Sequence, residues 1–179
     1  MAKLLNPPVP VLGFAAFSGT GKTTLIKALL PRLKARGLRV GVLKHAHHAF
    51  EIDQPGKDSY VLRKAGANPV MVSSAHRRAL IQERPEPAEP VLAQELAWFD
   101  GTGLDLILVE GFKHERYPKI ELHRPALGKP LLFPGDDSII ALATDGEPAV
   151  TPTIPRLDIN DPERIAQFIV EDFLGRRTP

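Results

Sequence analysis

The chain alternates between continuous apolar runs and amphipathic segments. The apolar runs have the length of parallel strands that are buried on both faces, and they cover residues 9–17, 38–45, 104–109, 119–122, 139–144 and 154–159. The amphipathic segments repeat apolar residues at helical spacing, and they lie between residues 22 and 37 and over residues 58–65, 91–99 and 162–174. Strands that alternate with helices predict an α/β fold with a mostly parallel sheet.

Three local signals refine this pattern. Pro31 lies inside the first predicted helix, where it removes one backbone hydrogen bond and should bend that helix or end it early. Residues 69–74 and 78–83 predict two strands that are joined by a tight turn. Asp161 is the expected N-cap of the last helix, because proline follows it at the first helical position.

The composition is that of an ordinary soluble protein. The 179 residues are 43% hydrophobic and 25% charged, with a net charge of +2, which predicts one domain over residues 1–179. We expect no nucleic-acid partner, because the charge is small and no dense basic run is present. The lack of cysteine excludes disulfides, zinc–thiolate sites and cysteine nucleophiles. Prolines interrupt the short apolar N-terminal run, so we expect no signal peptide, no membrane span and a cytoplasmic location.

A glycine-rich loop follows the first predicted strand and opens the first predicted helix. Its sequence matches the phosphate-binding pattern G-x-x-x-x-G-K-[ST], except that Ala16 replaces the first glycine. The backbone N–H groups of such a loop and the helix dipole together attract anions, which predicts binding of a nucleoside triphosphate. The expected nucleotide contacts are Ser18, Gly19, Thr20, Gly21, Lys22, Thr23 and Thr24.

Two acids on the strand at residues 104–109 and directly after it compete for a metal ion near this loop. In a doubly wound sheet, ligands bind beyond the carboxyl ends of the strands. Asp105 lies five residues before Glu110, which is roughly 16 Å at about 3.3 Å per residue. We therefore predict that Glu110 and the Thr23 hydroxyl hold Mg²⁺, and that Asp105 is a surface or capping residue.

The loop after the second predicted strand should border the same pocket. Asp53 and Asp58 are candidate catalytic residues, which would hold Mg²⁺ through water or orient an attacking water. Lys44 is a candidate phosphate contact, and a solvated loop charge is the alternative for each of these residues. The histidines within residues 45–48 do not by themselves predict zinc, because no matched ligands occur elsewhere.

Three further residues lie at predicted strand ends on the nucleotide side. Gly111 would let the backbone approach a phosphate closely. Lys113 either neutralises phosphate charge or faces solvent. No N-K-x-D guanine-recognition element is present, but Asp145 ends a strand and is a candidate acceptor for guanine N1 and N2. Its alternative is a turn acid that precedes a glycine.

Three strings of residues, taken together, resemble the molybdopterin-guanine dinucleotide biosynthesis protein B (MobB) family. The three are KHAHH at residues 44–48, DQPGKDSYVLRKAGA at 53–67 and LDLILVEGFKHE at 104–115, and the resemblance extends from the glycine loop to residues 157–161. It implies a three-layer α/β fold of the P-loop NTPase type that binds GTP with Mg²⁺ and hydrolyses it slowly. It also implies a role beside the guanylyltransferase that joins GMP to molybdopterin. Molybdopterin is a further candidate ligand, and a homodimer is expected, with the strand hairpin at about 69–83 as the dimerisation element.

Two other functions fit the same loop. A small P-loop kinase or ligase for a metabolite would need a mobile lid, and residues 116–135 are the candidate segment. A non-catalytic adaptor would instead bind the nucleotide and deliver it, or the pterin, to a partner. No arginine finger can be placed from the sequence, although Arg77 and Arg116 are candidate donors, so any hydrolysis should be slow.

Overall fold

The structure is a computed structural model that describes residues 8–46 and 50–175. The chain forms two compact units, one from Met1–His45 with Val91–Pro179 and the other from Ala46–Pro90. No helix within the described ranges has the length and apolar character needed to cross a membrane. The strands are β1 (Val11–Ala15), β2 (Val40–Lys44), β3 (Val70–Ser73), β4 (Arg78–Ile81), β5 (Leu106–Glu110), β6 (Lys119–His123), β7 (Ile139–Thr144) and β8 (Arg156–Asp158). The α-helices are α1 (Lys22–Ala35), α2 (Asp58–Lys64), α3 (Leu92–Ala97) and α4 (Pro162–Phe168), and a π-helical segment at Ile169–Phe173 continues α4. Two short 3₁₀ turns cover Pro125–Leu127 and Phe133–Gly135.

The larger unit is built on a six-stranded sheet in the order β2-β5-β1-β6-β7-β8. Every neighbouring pair in this sheet is parallel. The carboxyl ends of the strands therefore lie along one edge, where the glycine loop follows β1 and Glu110 ends β5. The predicted α/β fold with a parallel sheet is confirmed.

Both faces of the sheet are covered, which explains why the strand sequences are apolar without interruption. On one face, alternate residues such as Leu12 and Leu108 pack with α1 and α4. On the other face, the intervening residues such as Val11 and Ile107 pack with Leu96 of α3. A strand with helices or other chain on both faces has no side that favours polar residues. The result is a three-layer arrangement of helix, sheet and helix.

Two predictions about the helices are decided by the structure. Helix α1 continues past Pro31 to Ala35, so the prediction of an early end is wrong. Leu29 and Leu33 on either side of the proline are fully buried, and this packing stabilises the turns that the missing hydrogen bond weakens. The expected N-cap of α4 is confirmed, since Asp161 Oδ1 accepts from the N–H of Arg164 at 3.0 Å.

The smaller unit contains α2 and the antiparallel hairpin of β3 and β4. The hairpin pairs Met71 with Leu80 and Ser73 with Arg78. Its turn is closed by the N–H of Ser74, which donates to the carbonyl oxygen of Arg77 at 2.9 Å. The two predicted strands and the tight turn between them are therefore confirmed.

Candidate functional site

The glycine loop joins the end of β1 to the start of α1, as the sequence predicts. Gly19 and Gly21 have φ angles of +83° and +103°, in the left-handed region that favours glycine. The hydroxyl of the buried Thr20 donates to the Phe17 carbonyl oxygen at 2.8 Å and closes the loop. Gly21 is the N-cap of α1 and offers no side-chain cap, so the first N–H groups of this helix remain available to an anion.

Lys22 folds back over this loop. Its Nζ donates to the carbonyl oxygens of Ala16 at 3.0 Å and Phe17 at 3.1 Å. Burial lowers the pKa of Lys22, the charge of Glu110 acts in the opposite direction, and the charge of Lys113 lowers the pKa further. The ammonium group is thus held at the loop by neutral carbonyl groups, where a phosphate oxygen would be a stronger partner.

Thr23 and Glu110 meet beside the loop. The Thr23 hydroxyl donates to Glu110 Oε1 at 3.0 Å and Oε2 at 3.2 Å. Lys44 Nζ lies 3.9 Å from Glu110 Oε2, because β2 and β5 pair Lys44 with Glu110 in register. A hydroxyl and a carboxylate are the oxygen ligands that Mg²⁺ takes in proteins, and here the two lie next to each other. The residues present therefore fit this ion.

The turn after β5 brings Gly111 against the end of β2. Gly111 has a φ of +109°, and a Cβ atom added there would lie 2.5 Å from the Cβ of His45. Its carbonyl oxygen accepts from the hydroxyl of the buried Tyr117 at 2.9 Å. The positive φ and the nearness of His45 therefore explain why residue 111 is glycine. The close approach of the Gly111 backbone to a phosphate stays a prediction.

The remaining candidate nucleotide contacts lie around the glycine loop. Lys113 Nζ lies 5.7 Å from the centre of the Phe17 ring, so this cation is beside the loop, and its contact with a phosphate stays a prediction. Ser18, Thr23 and Thr24 are exposed around the loop, where a ligand has access to them. The structure therefore gathers the predicted residues of the loop with Lys44, Glu110 and Lys113 at one edge of the sheet.

Asp145 lies at this edge too, but it is bound to a residue that the sequence did not single out. Arg124, directly after β6, pairs through Nη1 with Asp145 Oδ2. Its Nε donates to the Thr20 carbonyl oxygen at 3.1 Å, and its Nη2 donates to Asn160 Oδ1 at 3.2 Å. The available signal was the position of Arg124, since β6 is the neighbour of β1 and its carboxyl end is next to the loop.

Asp53 and Asp58 belong to the smaller unit, and their proposed contact with Mg²⁺ stays a prediction. Asp53 accepts from Arg63, at 2.7 Å from Nη2 to Oδ1 and 3.3 Å from Nε to Oδ2. The same guanidinium also binds Glu51 and Glu83. The hydrogen bond from Arg63 holds the pKa of Asp53 below its usual value. Asp58 is exposed and begins α2.

Two other expectations concern residues beside the site. Asp105 precedes β5 and its Oδ2 accepts from the N–H of Arg39 at 2.9 Å, so its predicted capping role at the opposite end of the strand is confirmed. His47 and His48 lie outside the described residues. Among the residues that are described, no three histidine, cysteine or acidic side chains converge as ligands of a metal ion.

The comparison with known proteins identifies a family for the chain. Residues 11–145 match the family described as MobB, molybdopterin guanine dinucleotide synthesis protein B. This match covers more than half of the chain. The chain belongs to the MobB family.

Relatives of the MobB family resemble the chain over nearly its full length. It is 50% identical over 164 residues to the molybdopterin-guanine dinucleotide biosynthesis adapter protein of Escherichia coli, covering 91% of this chain and 93% of that protein. It is 44% identical over 166 residues to the adapter protein of the same name from Haemophilus influenzae, covering 92% of this chain and 90% of that protein.

The fold agrees with a solved member as well. The crystal structure of the MobB protein homolog from Bacillus stearothermophilus superimposes with a TM-score of 0.69 and covers 93% of this chain and 99% of that one. The sequence identity to that chain is 24%, so this likeness concerns the fold. The likeness shows that the two proteins share the α/β fold with a mostly parallel sheet between helices.

Proposed function

We propose that this MobB family member is a cytoplasmic adapter that binds GTP with Mg²⁺ and assists the guanylyltransferase that joins GMP to molybdopterin. The adapter role follows the names of the relatives that resemble the chain over most of its length. The nucleotide role rests mainly on one observation, the contact between Thr23 and Glu110 beside the glycine loop. Molybdopterin is a further candidate ligand of the same adapter.

Each site residue has a distinct task in this proposal. The N–H groups of the loop and of the first turn of α1 bind the phosphates, and Lys22 exchanges its two carbonyl partners for phosphate oxygens. Thr23 and Glu110 would hold Mg²⁺, which neutralises charge between the β- and γ-phosphates when it is bound. Lys44 and Lys113 are the further cations near this charge.

In this proposal the protein hydrolyses GTP only slowly. Of the two arginines considered as donors, Arg116 is bound by Asp137 at 2.6 and 2.8 Å. Arg77 lies in the hairpin turn of the smaller unit. An arginine finger contributes about 10³–10⁵ in rate, so a site without one turns over slowly. Asp53 and Asp58 remain the candidates for orienting the attacking water.

The proposed homodimer uses the hairpin of β3 and β4. Its side chains Met71, Val72 and Leu80 are 58%, 47% and 37% exposed, which is unfavourable for apolar groups in water. The double substitution Met71→Glu and Leu80→Glu places like charges at a cross-strand pair and should give monomers by light scattering. A dimer of unchanged stability in this variant would place the subunit contact elsewhere.

The main experiment measures nucleotide affinity by calorimetry, with GTP and ATP, with and without Mg²⁺. The wild-type protein should prefer GTP, and Mg²⁺ should raise the affinity. Lys22→Ala should weaken GTP binding by roughly 10- to 100-fold, because hydrogen bonds to charged groups contribute about 1.5–3 kcal/mol each. Lys27→Ala, which removes an exposed lysine from the same helix, is the matched control. Failure of the wild-type protein to bind GTP, or unchanged binding by Lys22→Ala, would reject the site.

A second measurement separates the adapter from the alternatives. Phosphate release should be slow with GTP alone and should not increase when small-molecule acceptors are added. Turnover that rises with such an acceptor would indicate a kinase instead. Tight GTP binding with negligible phosphate release, together with co-purification of the transferase, would identify a purely non-catalytic adapter.

A further inference from the structure

Arg124 connects the glycine loop to the ends of three neighbouring strands. It follows β6 directly, it pairs with Asp145 after β7, and it donates to Asn160, two residues after the end of β8. Its Nε reaches the carbonyl oxygen of Thr20 within the loop at 3.1 Å. One side chain thus joins the loop to a carboxylate that lies two strands away from β1.

The layout of the sheet indicates which side of the loop the nucleoside occupies. Strand β1 has β5 on one side and β6 on the other. The contact between Thr23 and Glu110 marks the β5 side as the position of the metal and the terminal phosphates. A triphosphate held on the loop with that orientation directs its base to the opposite side, where Arg124 and Asp145 lie.

The chemistry of Asp145 suits guanine at that position. Guanine presents two donors, N1–H and N2–H, at one edge, whereas adenine presents an acceptor at N1. A carboxylate has about four acceptor positions. Arg124 uses one on Oδ2, and within the described chain Oδ1 accepts no hydrogen bond. Arg124 therefore fixes the orientation of the carboxylate and leaves it able to accept from guanine, while an adenine acceptor would face a negative charge.

The same arginine acts on the phosphate side through the backbone. A peptide group is planar, with its C=O and N–H pointing in opposite directions. Fixing the Thr20 carbonyl group therefore fixes the N–H of Gly21, which belongs to the same peptide group at the start of α1. The conformation of the loop and the orientation of Asp145 thus depend on one guanidinium group.

We propose that Arg124 is a positioning residue for guanine selection, which holds Asp145 in the orientation that reads the base and couples it to the glycine loop through Thr20. This inference rests on the proposed GTP binding. It assigns to Arg124 a role in the choice between guanine and adenine nucleotides rather than in phosphate affinity alone.

The test compares dissociation constants for GTP, ATP and inorganic tripolyphosphate, which reports on the loop without a base. Arg124→Gln should lower the ratio of GTP affinity to ATP affinity at least about tenfold, with a smaller change for tripolyphosphate. Arg124→Lys keeps the charge but cannot reach three acceptors at once, so the ratio should fall there too. Arg36→Gln is the control, because it removes an arginine–carboxylate pair with Glu163 that touches neither Thr20 nor Asp145.

The second part of the test changes the base that residue 145 should recognise. Asp145→Asn presents one donor and one acceptor, which matches the O2 and N1–H of xanthine, so this variant should bind xanthosine triphosphate more tightly than GTP. Adding Arg124→Gln to it should reduce that new preference. An unchanged GTP-to-ATP ratio in both Arg124 variants would overturn the inference, and so would equal losses for all three ligands. A wild-type protein that binds no GTP would instead reject the proposed function and this inference together.

Discussion

The Thr23 hydroxyl donates to both carboxylate oxygens of Glu110, at 3.0 and 3.2 Å, although 87 residues separate them in the chain. Their contact follows from the pairing of β1 with β5, which sets Phe14 opposite Glu110 and brings the end of β5 beside the start of α1. A hydroxyl and a carboxylate are oxygen ligands of the kind that Mg²⁺ takes. The pair thus defines the metal side of the proposed nucleotide site.

Replacing Glu110 by glutamine should damage Mg²⁺-dependent phosphate release more than GTP binding. The change removes the negative charge that the ion needs while it keeps the shape of the side chain. We expect a loss of roughly 10- to 100-fold in release rate at low Mg²⁺, measured over a titration of the ion. Asp105→Asn alters an acid at the other end of the same strand, where it binds Arg39, and should change neither quantity. Equal effects of the two substitutions would show that Glu110 is wrongly assigned.

The Thr23 hydroxyl should be needed for the effect of Mg²⁺ and not for the fold. Thr23→Val keeps the branched shape and removes the oxygen, so the gain in GTP affinity on adding Mg²⁺ should largely disappear. Thr23→Ser keeps the oxygen and should retain that gain. Calorimetry of both variants with and without the ion tests this, and an equal Mg²⁺ effect in valine and serine variants contradicts it.

A methyl group at Gly111 should destabilise the larger unit. Its φ of +109° is unfavourable for other residues, and the added Cβ would lie 2.5 Å from the Cβ of His45. Overpacking of this kind costs about 1–3 kcal/mol, which should lower the melting temperature of Gly111→Ala by several degrees. Gly135→Ala is the control, since nothing lies within 4 Å of its added Cβ and its φ is not positive. A melting temperature equal to that of the control would show that the turn relaxes without cost.

The link between Asp53 and Arg63 should make the smaller unit sensitive to acid. The hydrogen bond from Arg63 lowers the pKa of Asp53, so this contribution to stability is present above the usual pKa of an aspartate, about 3.9, and is lost as the pH falls through the lowered value. Glu51 and Glu83 form ion pairs with the same guanidinium group.

The measurement is amide hydrogen exchange over residues 50–83 in wild-type and Asp53→Asn proteins. At pH 7 the variant should exchange faster, and the difference should shrink towards zero as the pH falls below the lowered pKa of Asp53, where the wild-type carboxylate is protonated as well. Glu86→Gln removes an exposed acid from the same unit and should exchange like the wild type at every pH. A difference between wild type and Asp53→Asn that is independent of pH would assign the effect to shape and not to charge.

Local sequence was sufficient for the elements and for the loop. The apolar runs predicted the parallel strands, because a strand buried on both faces must be apolar at every position. The glycine-rich pattern predicted a loop between the first strand and the first helix, and there Gly19 and Gly21 have left-handed φ angles. Pro31 shows the limit of local signals, since burial of the neighbouring leucines stabilises a helix that the proline alone would interrupt.

The sequence by itself determined the strand–loop–helix unit and the choice of Glu110 over Asp105, because spacing along one strand decides which end of the sheet a side chain reaches. Only the tertiary structure decided which side chains bind Arg63 and Arg124. Arg63 and its three acids, and Arg124 and Asp145, are 10 to 21 positions apart in the chain, and Arg124 and Thr20 are 104 positions apart. The contacts of Arg124 depend on the order of the strands in the sheet, and those of Arg63 depend on how the loops of the smaller unit pack around α2; no local pattern of residues encodes either.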